Sequence, residues 1–221
     1  MDMLCIWKRP RLPSCERVLF GDAMSDPTKE QVQALWVHMS AKYGSVIVPK
    51  SSSEFMQVVS QLLGKMHISD PDNFMLYYTT TIANCVYVPF EIGVDNGIWS
   101  LWDQIGVCAH EHHHIEQQER IGPATFDWRY LTDADSRARF EAEAYICQVE
   151  LDFWRKGTLD YRPEDLSIEL RGYGCNDDQV AIASDVLRLL GKTVLAGGVL
   201  NKSSRDVINW MNQFAPEVRE V

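Results

Sequence analysis

The chain has 221 residues, 46% hydrophobic and 24% charged, with a formal net charge of −10. That length and composition suit one globular domain with a sizeable core, or one domain plus a small lobe. The acidic balance, without any cluster of Lys and Arg, argues against a nucleic-acid partner. No apolar run reaches the length of a membrane span, so no membrane partner is expected.

The first twenty residues carry Lys8, Arg9, Arg11, Glu16 and Arg17, which interrupt any apolar run of leader length, so a cytoplasmic protein is expected. The six cysteines are scattered and form no C-x-x-C pair, and they read as reduced thiols.

Ser25-Asp26-Pro27 is a helix-start signal and predicts a helix to about Tyr43, stopped by Gly44. Residues 45–49 (SVIVP) read as a short strand. Ser51 with Glu54 fits a capping box that opens a second helix through Met56, Val59, Leu62 and Leu63. Residues 74–82 and 85–89 are rich in aromatic and β-branched side chains and read as a strand pair.

A helix is expected over about 97–120, broken by Gly122-Pro123. A loop of about ten residues leads to Asp133 and a long helix over 134–156. The remainder reads as three helices, about 163–171, 177–195 and 203–214. Residues 1–157 would form the main domain, and 158–221 a helical lobe packed on it in one compact unit.

The most informative stretch is His110-Glu111-His112-His113-His114, which fits H-E-x-x-H within a predicted helix. Positions four apart share a face, so His110 and His114 point the same way and can hold one zinc ion through neutral ring nitrogens. Glu111 lies one residue round the helix, where it can accept a proton from water as a general base. Gly106 falls on the same face and leaves room beside the ion. His112 and His113 point elsewhere and read as surface polarity.

Zinc held by two imidazoles for catalysis takes a third protein ligand. Gln117 and Arg120 stand where an extended H-E-x-x-H-x-x-G-x-x-H motif would place Gly and His, and no histidine follows His114. The third ligand is then a carboxylate, or failing that Cys147 or Cys175. Glu141 and Glu143 both lie on the next long helix. That helix has apolar arcs on two sides, with the two glutamates in the gaps between them, so the pattern alone leaves the choice open.

At these residues the chain resembles the gluzincins, H-E-x-x-H zinc peptidases whose third ligand is a glutamate on a following helix. It also resembles zincin-like proteins of bacteria and phages. Glu141-Ala142-Glu143-Ala144-Tyr145 is similar to the E-x-x-A-D or E-x-x-A-N of several gluzincin branches, with Tyr145 in place of the Asp or Asn. The resemblance covers about residues 105–154. It implies Glu141 as third ligand and Zn2+ as cofactor. It also implies an α+β, zincin-like fold, with a small mixed sheet, an active-site helix and a mostly helical C-terminal lobe.

The implied activity is hydrolysis of a peptide or protein substrate, with Glu111 as general base and an extended substrate pairing along 74–82 or 85–89. Tyr130 and Tyr145 are candidates to donate a hydrogen bond to the oxyanion. The alternative is an inactive zincin-like protein, binding or structural as in a virion, that keeps a residual metal site. Gln117 is expected to bond the loop 125–130, and Arg137 to hold a carboxylate or the motif helix. Trp99, Trp102, Trp128 and Trp154 read as core, and His38 and His67 as ordinary.

Overall fold

A computed structural model describes residues 5–8, 25–65 and 70–220. His67 lies outside the described residues. The fold is α+β and mostly helical. Among the described residues a four-stranded sheet runs in the order β1-β3-β4-β2, formed by β1 (Cys5–Lys8), β2 (Val46–Pro49), β3 (Tyr78–Ile82) and β4 (Cys85–Val88). β1 and β4 both pair antiparallel with β3, while β2 pairs parallel with β4, so the sheet is mixed. β3 and β4 are therefore interior strands. The expected pairing of a substrate along them is not available, because both edges of each already carry a neighbour.

The first helix, α1 (Lys29–Tyr43), starts later than Ser25-Asp26-Pro27 suggests. Thr28 is its N-cap: its hydroxyl accepts from Gln31 N, and the Gln31 side chain accepts in return from Thr28 N. Lys50–Ser52 make one 3-10 turn before α2 (Glu54–Lys65), and Ser53, not Ser51, accepts from Met56 N. Residues 74–77, the start of the predicted strand, belong instead to α3 (Pro71–Tyr77). Asp70 caps Asn73 N and Pro71 occupies the first turn, and these local signals outweigh the aromatic content. α3 runs into β3 with no residue between them.

α4 (Leu101–Ile121) carries the motif and begins at a capping box between Ser100 and Asp103. The expected loop after it is a helix, α5 (Pro123–Thr132). Gly122, at φ 86°, makes the break, and Pro123 then serves as a first-turn residue, where its missing N–H costs nothing. α6 (Ala134–Lys156) is capped by Asp133 and stopped by Gly157 in the left-handed region. A 3-10 segment (Pro163–Tyr173) precedes α7 (Asp177–Leu195) and α8 (Lys202–Phe214).

α4 is the central element: α1, α5, α6, α8 and β3 all pack on it. It is buried without a break from Gln104 to Ile115, polar residues included. One apolar cluster takes in Trp36, Phe74, Ile105 and Tyr145 together with Leu170, Leu187 and Met211, so residues on both sides of position 157 share it. Trp99 and Trp154 are buried as expected, whereas Trp128 is 67% exposed. Among the described residues no helix is long and apolar enough to cross a membrane.

Candidate metal centre

The structure brings His110, His114 and Glu141 together. The Nε2 atoms of His110 and His114 are 3.0 Å apart. Glu141 lies across from them, Oε2 at 3.4 Å from His110 Nε2 and Oε1 at 3.6 Å from His114 Nε2. Zinc bonded tetrahedrally at the usual N and O distances sets its ligand atoms about 3.3–3.5 Å apart. The three separations bracket that value. All three side chains have 0% exposure. Among the described residues this is the one group of His, Cys, Asp or Glu side chains whose donor atoms gather closely enough to share an ion.

The imidazoles of His110 and His114 are held in the neutral form. Burial pushes the His110 pKa well down, and the neighbouring His114 and His113 add to this. Burial likewise lowers His114 to about 3. Two imidazole nitrogens 3.0 Å apart beside a buried carboxylate offer a set of donor atoms that could hold a metal ion.

The outer contacts are specific. His114 Nδ1 lies 2.8 Å from Gln117 Oε1, and Gln117 Nε2 donates to the Phe140 carbonyl (3.0 Å) and to Glu143 Oε2 (3.1 Å). Gln117 thus bonds α6 and not the segment 125–130. The Ala144 backbone opposes the fall in the His110 pKa without outweighing burial. Tyr130 donates its hydroxyl to Glu141 Oε1 at 2.5 Å. The Tyr145 ring meets His110 edge-on, with centroids 5.4 Å apart, and its hydroxyl pairs at 3.2 Å with that of Tyr173.

Glu143 is not part of the triad. It accepts from Arg120 Nη2 at 2.7 Å as well as from Gln117, and faces His113 Nε2 at 3.9 Å. Burial raises its pKa, but His113, Arg120 and Gln117 outweigh that and take it down to about 2. Arg137 donates to the Tyr130 carbonyl at 2.7 Å and ties the end of α5 to α6, instead of holding a carboxylate.

Glu111, the residue after His110 on α4, is fully buried. Thr79 and Thr81, alternate residues of β3 that share one face, each donate a hydroxyl to a different Glu111 oxygen, the second at 2.5 Å. Burial raises its pKa, while Thr79, Thr81 and the charge of Lys50 oppose this, leaving it at about 7. Lys50 is itself buried. Its ammonium donates to the Phe74 and Tyr78 carbonyls (3.0 and 2.9 Å) and lies 3.5 Å from the Phe74 ring centroid.

Thr79, Thr81 and Lys50 are the site residues that sequence reasoning missed. The threonines register only as β-formers within the strand 74–82. One signal was present: a Thr-Thr-Thr run holds three hydroxyls that a buried strand must satisfy.

His112 and His113 are buried, in contrast to the surface expected for them. His112 Nδ1 donates to the Cys108 carbonyl at 2.6 Å, which leaves Nε2 to accept from Ser45 Oγ at 3.0 Å. His113 lies between Glu116 and Glu143. Burial alone would lower its pKa, but the two carboxylates outweigh it, so the group is shifted up.

Gly106, one turn before His110 on the same face, is buried, yet a Cβ placed there meets no atom within 4 Å. This is open space beside the triad, as the wheel suggested.

In comparisons with known proteins, no family model, no curated protein and no solved structure matches the chain. The chemistry of the site rests on its own geometry.

Proposed function

We propose that this chain is a zinc-dependent hydrolase of amide bonds in peptides or proteins, of the zincin-like, gluzincin type. The observation that carries the reading is the buried His110–His114–Glu141 triad at tetrahedral ligand spacing, with Glu111 one residue along α4. A bound zinc ion supplies Lewis-acid polarisation of a carbonyl and acidification of water near neutral pH.

The side chains do the rest. Glu111, with its pKa at about 7, is poised to accept a proton from the attacking water and return it to the leaving amine. Thr79 and Thr81 hold its carboxylate in one plane. Tyr130 holds Glu141, and the Tyr145–Tyr173 hydroxyl pair is the source of a donor for the oxyanion.

Access runs past α5. This helix packs on α4 and α6, buries only Phe126, Asp127 and Tyr130, and is flanked by Gly122 and the extended Asp133.

A second reading, a structural or binding protein with a closed metal site, is favoured by one observation: both Glu111 oxygens are engaged and the triad has no exposure. Zinc-loaded protein incubated with a peptide library, beside Glu111→Gln, separates the two. Cleavage by the wild type alone supports the hydrolase. Stoichiometric zinc, without cleavage and without binding of a hydroxamate, selects the closed site.

A further inference from the structure

We propose that Gln117 and Glu143 are positioning residues that set His114 as a metal ligand: Glu143 and the Phe140 carbonyl orient the Gln117 amide, and that amide selects the ring tautomer of His114. The inference rests on the metal reading of the triad but not on hydrolysis.

The logic follows from which groups can only accept. The Phe140 carbonyl has no proton to give, and neither has the Glu143 carboxylate when ionised. Both lie within hydrogen-bond distance of one end of the Gln117 side chain, at 3.0 and 3.1 Å. That end must be the NH2. The amide oxygen is therefore turned toward α4, where it stands 2.8 Å from His114 Nδ1. An amide oxygen only accepts, so Nδ1 must carry the hydrogen. In a neutral imidazole the other nitrogen, Nε2, is then the bare one. Nε2 is the atom that faces His110 Nε2 and Glu141.

Two acceptors on α6 thus decide, through one amide, which nitrogen of a histidine on α4 has a lone pair to offer. Gln117 is 1% exposed, so its amide depends on protein partners. Glu143 is held in turn by Arg120, whose side chain is 56% exposed, so the relay runs from the protein surface to the triad. Glu143 competes with Glu141 for the role of ligand when only the sequence is read. In the structure its function is to orient a ligand.

The test uses the full chain and zinc alone. The His114 tautomer is read in the metal-free protein from ring 15N shifts, the zinc dissociation constant from chelator competition, and stability from thermal melting. Wild type is expected to show Nδ1–H at His114. Gln117→Met keeps the volume but removes the acceptor. It should mix the tautomers and weaken zinc binding by roughly ten- to a hundredfold, the usual cost of losing a ligand's outer partner.

Gln117→Glu keeps an acceptor toward Nδ1 but sets a carboxylate against Glu143 and the Phe140 carbonyl. It should melt lower than Gln117→Met yet retain the Nδ1–H form and bind zinc more tightly than Gln117→Met does. That inversion between melting and affinity is what a merely structural role does not produce. Affinity that simply tracks melting temperature across the two variants overturns the proposal, as does a wild-type His114 protonated at Nε2. A wild type with the Nδ1–H tautomer that takes up no zinc overturns the metal reading and leaves the orientation of His114 standing.

Discussion

The Tyr130 hydroxyl donates to Glu141 Oε1 at 2.5 Å, while the other oxygen of the same carboxylate lies 3.4 Å from His110 Nε2. One short helix, α5, therefore grips a candidate ligand that belongs to α6. Phe126 of α5 adds an apolar contact, its ring 6.1 Å from that of His114. The cover of the site and the orientation of its carboxylate are one structural unit. Tyr130→Phe should keep the fold and weaken zinc binding roughly ten- to a hundredfold, which corresponds to about 1.5–3 kcal/mol for one hydrogen bond to a charged acceptor. Chelator competition checks it, and unchanged affinity would remove Tyr130 from the site.

Glu111→Gln is expected to keep zinc and fold. The amide oxygen can accept from one threonine, and the amide nitrogen can donate to the hydroxyl of the other. Hydrolysis of any peptide the wild type cleaves should drop by roughly two to four orders of magnitude, the worth of general-base help. Retained turnover in this variant would end the general-base role.

Lys50→Met tests the support beneath β3. The substitution approximates the volume but removes the donor from the Phe74 and Tyr78 carbonyls at the junction where α3 passes directly into β3. Leaving buried carbonyls unsatisfied costs about 1–3 kcal/mol. Chemical denaturation should show that loss. Because Tyr78 immediately precedes Thr79, amide exchange along β3 should also rise. A variant as stable as wild type would mean that Lys50 contributes no net stability.

Much of this site could be read from the chain, and what could not has identifiable causes. The His110–His114 pair follows from helical spacing alone, and Gly106 from the same wheel. Glu141 against Glu143 was not decidable from periodicity, because α6 is buried on two sides and an apolar wheel marks only one direction when one side is wet. The structure separates them by what each meets: two imidazoles for one, an amide and a guanidinium for the other.

α5 was read as a loop because Gly122-Pro123 is a breaker, but the same proline is an ordinary first-turn residue once Gly122 has turned the chain. The aromatic residues of 74–77 suit a strand, but Asp70-Pro71 is the stronger local signal and starts α3. Thr79, Thr81 and Lys50 belong to long-range pairings, about thirty residues or more from Glu111, and no local pattern reports those. His112 and His113 look polar and exposed on paper. They are buried because Ser45, the Cys108 carbonyl, Glu116 and Glu143 each answer a ring nitrogen.

Metal-free protein should lose stability on acidification, and the sign can be worked out. His110, His112 and His114 have pKa values below the ordinary 6.5, well below for His110, about 4 for His112 and about 3 for His114, chiefly through burial. Below about pH 6.5 the unfolded chain takes up these protons before the folded one does, so stability present above that pH is lost as pH falls. Glu111 works the other way. Its raised pKa, about 7 against an ordinary 4.5, makes the folded chain take the proton first, which stabilises as pH falls through that interval. His113, Glu150 and Asp152, also shifted up, act with Glu111, while Glu143 and Glu116, shifted down, act with the three imidazoles; most of the large shifts are downward, so the melting temperature of metal-free protein should fall from pH 7 to pH 4. Zinc holds its ligands deprotonated and adds binding energy to the folded state, so the loaded protein should melt higher throughout and begin its decline at lower pH. Melting curves at matched pH, with chelator and with zinc, read both effects. A metal-free melting temperature that stays level or climbs on acidification would show that these imidazoles are not buried in the neutral form.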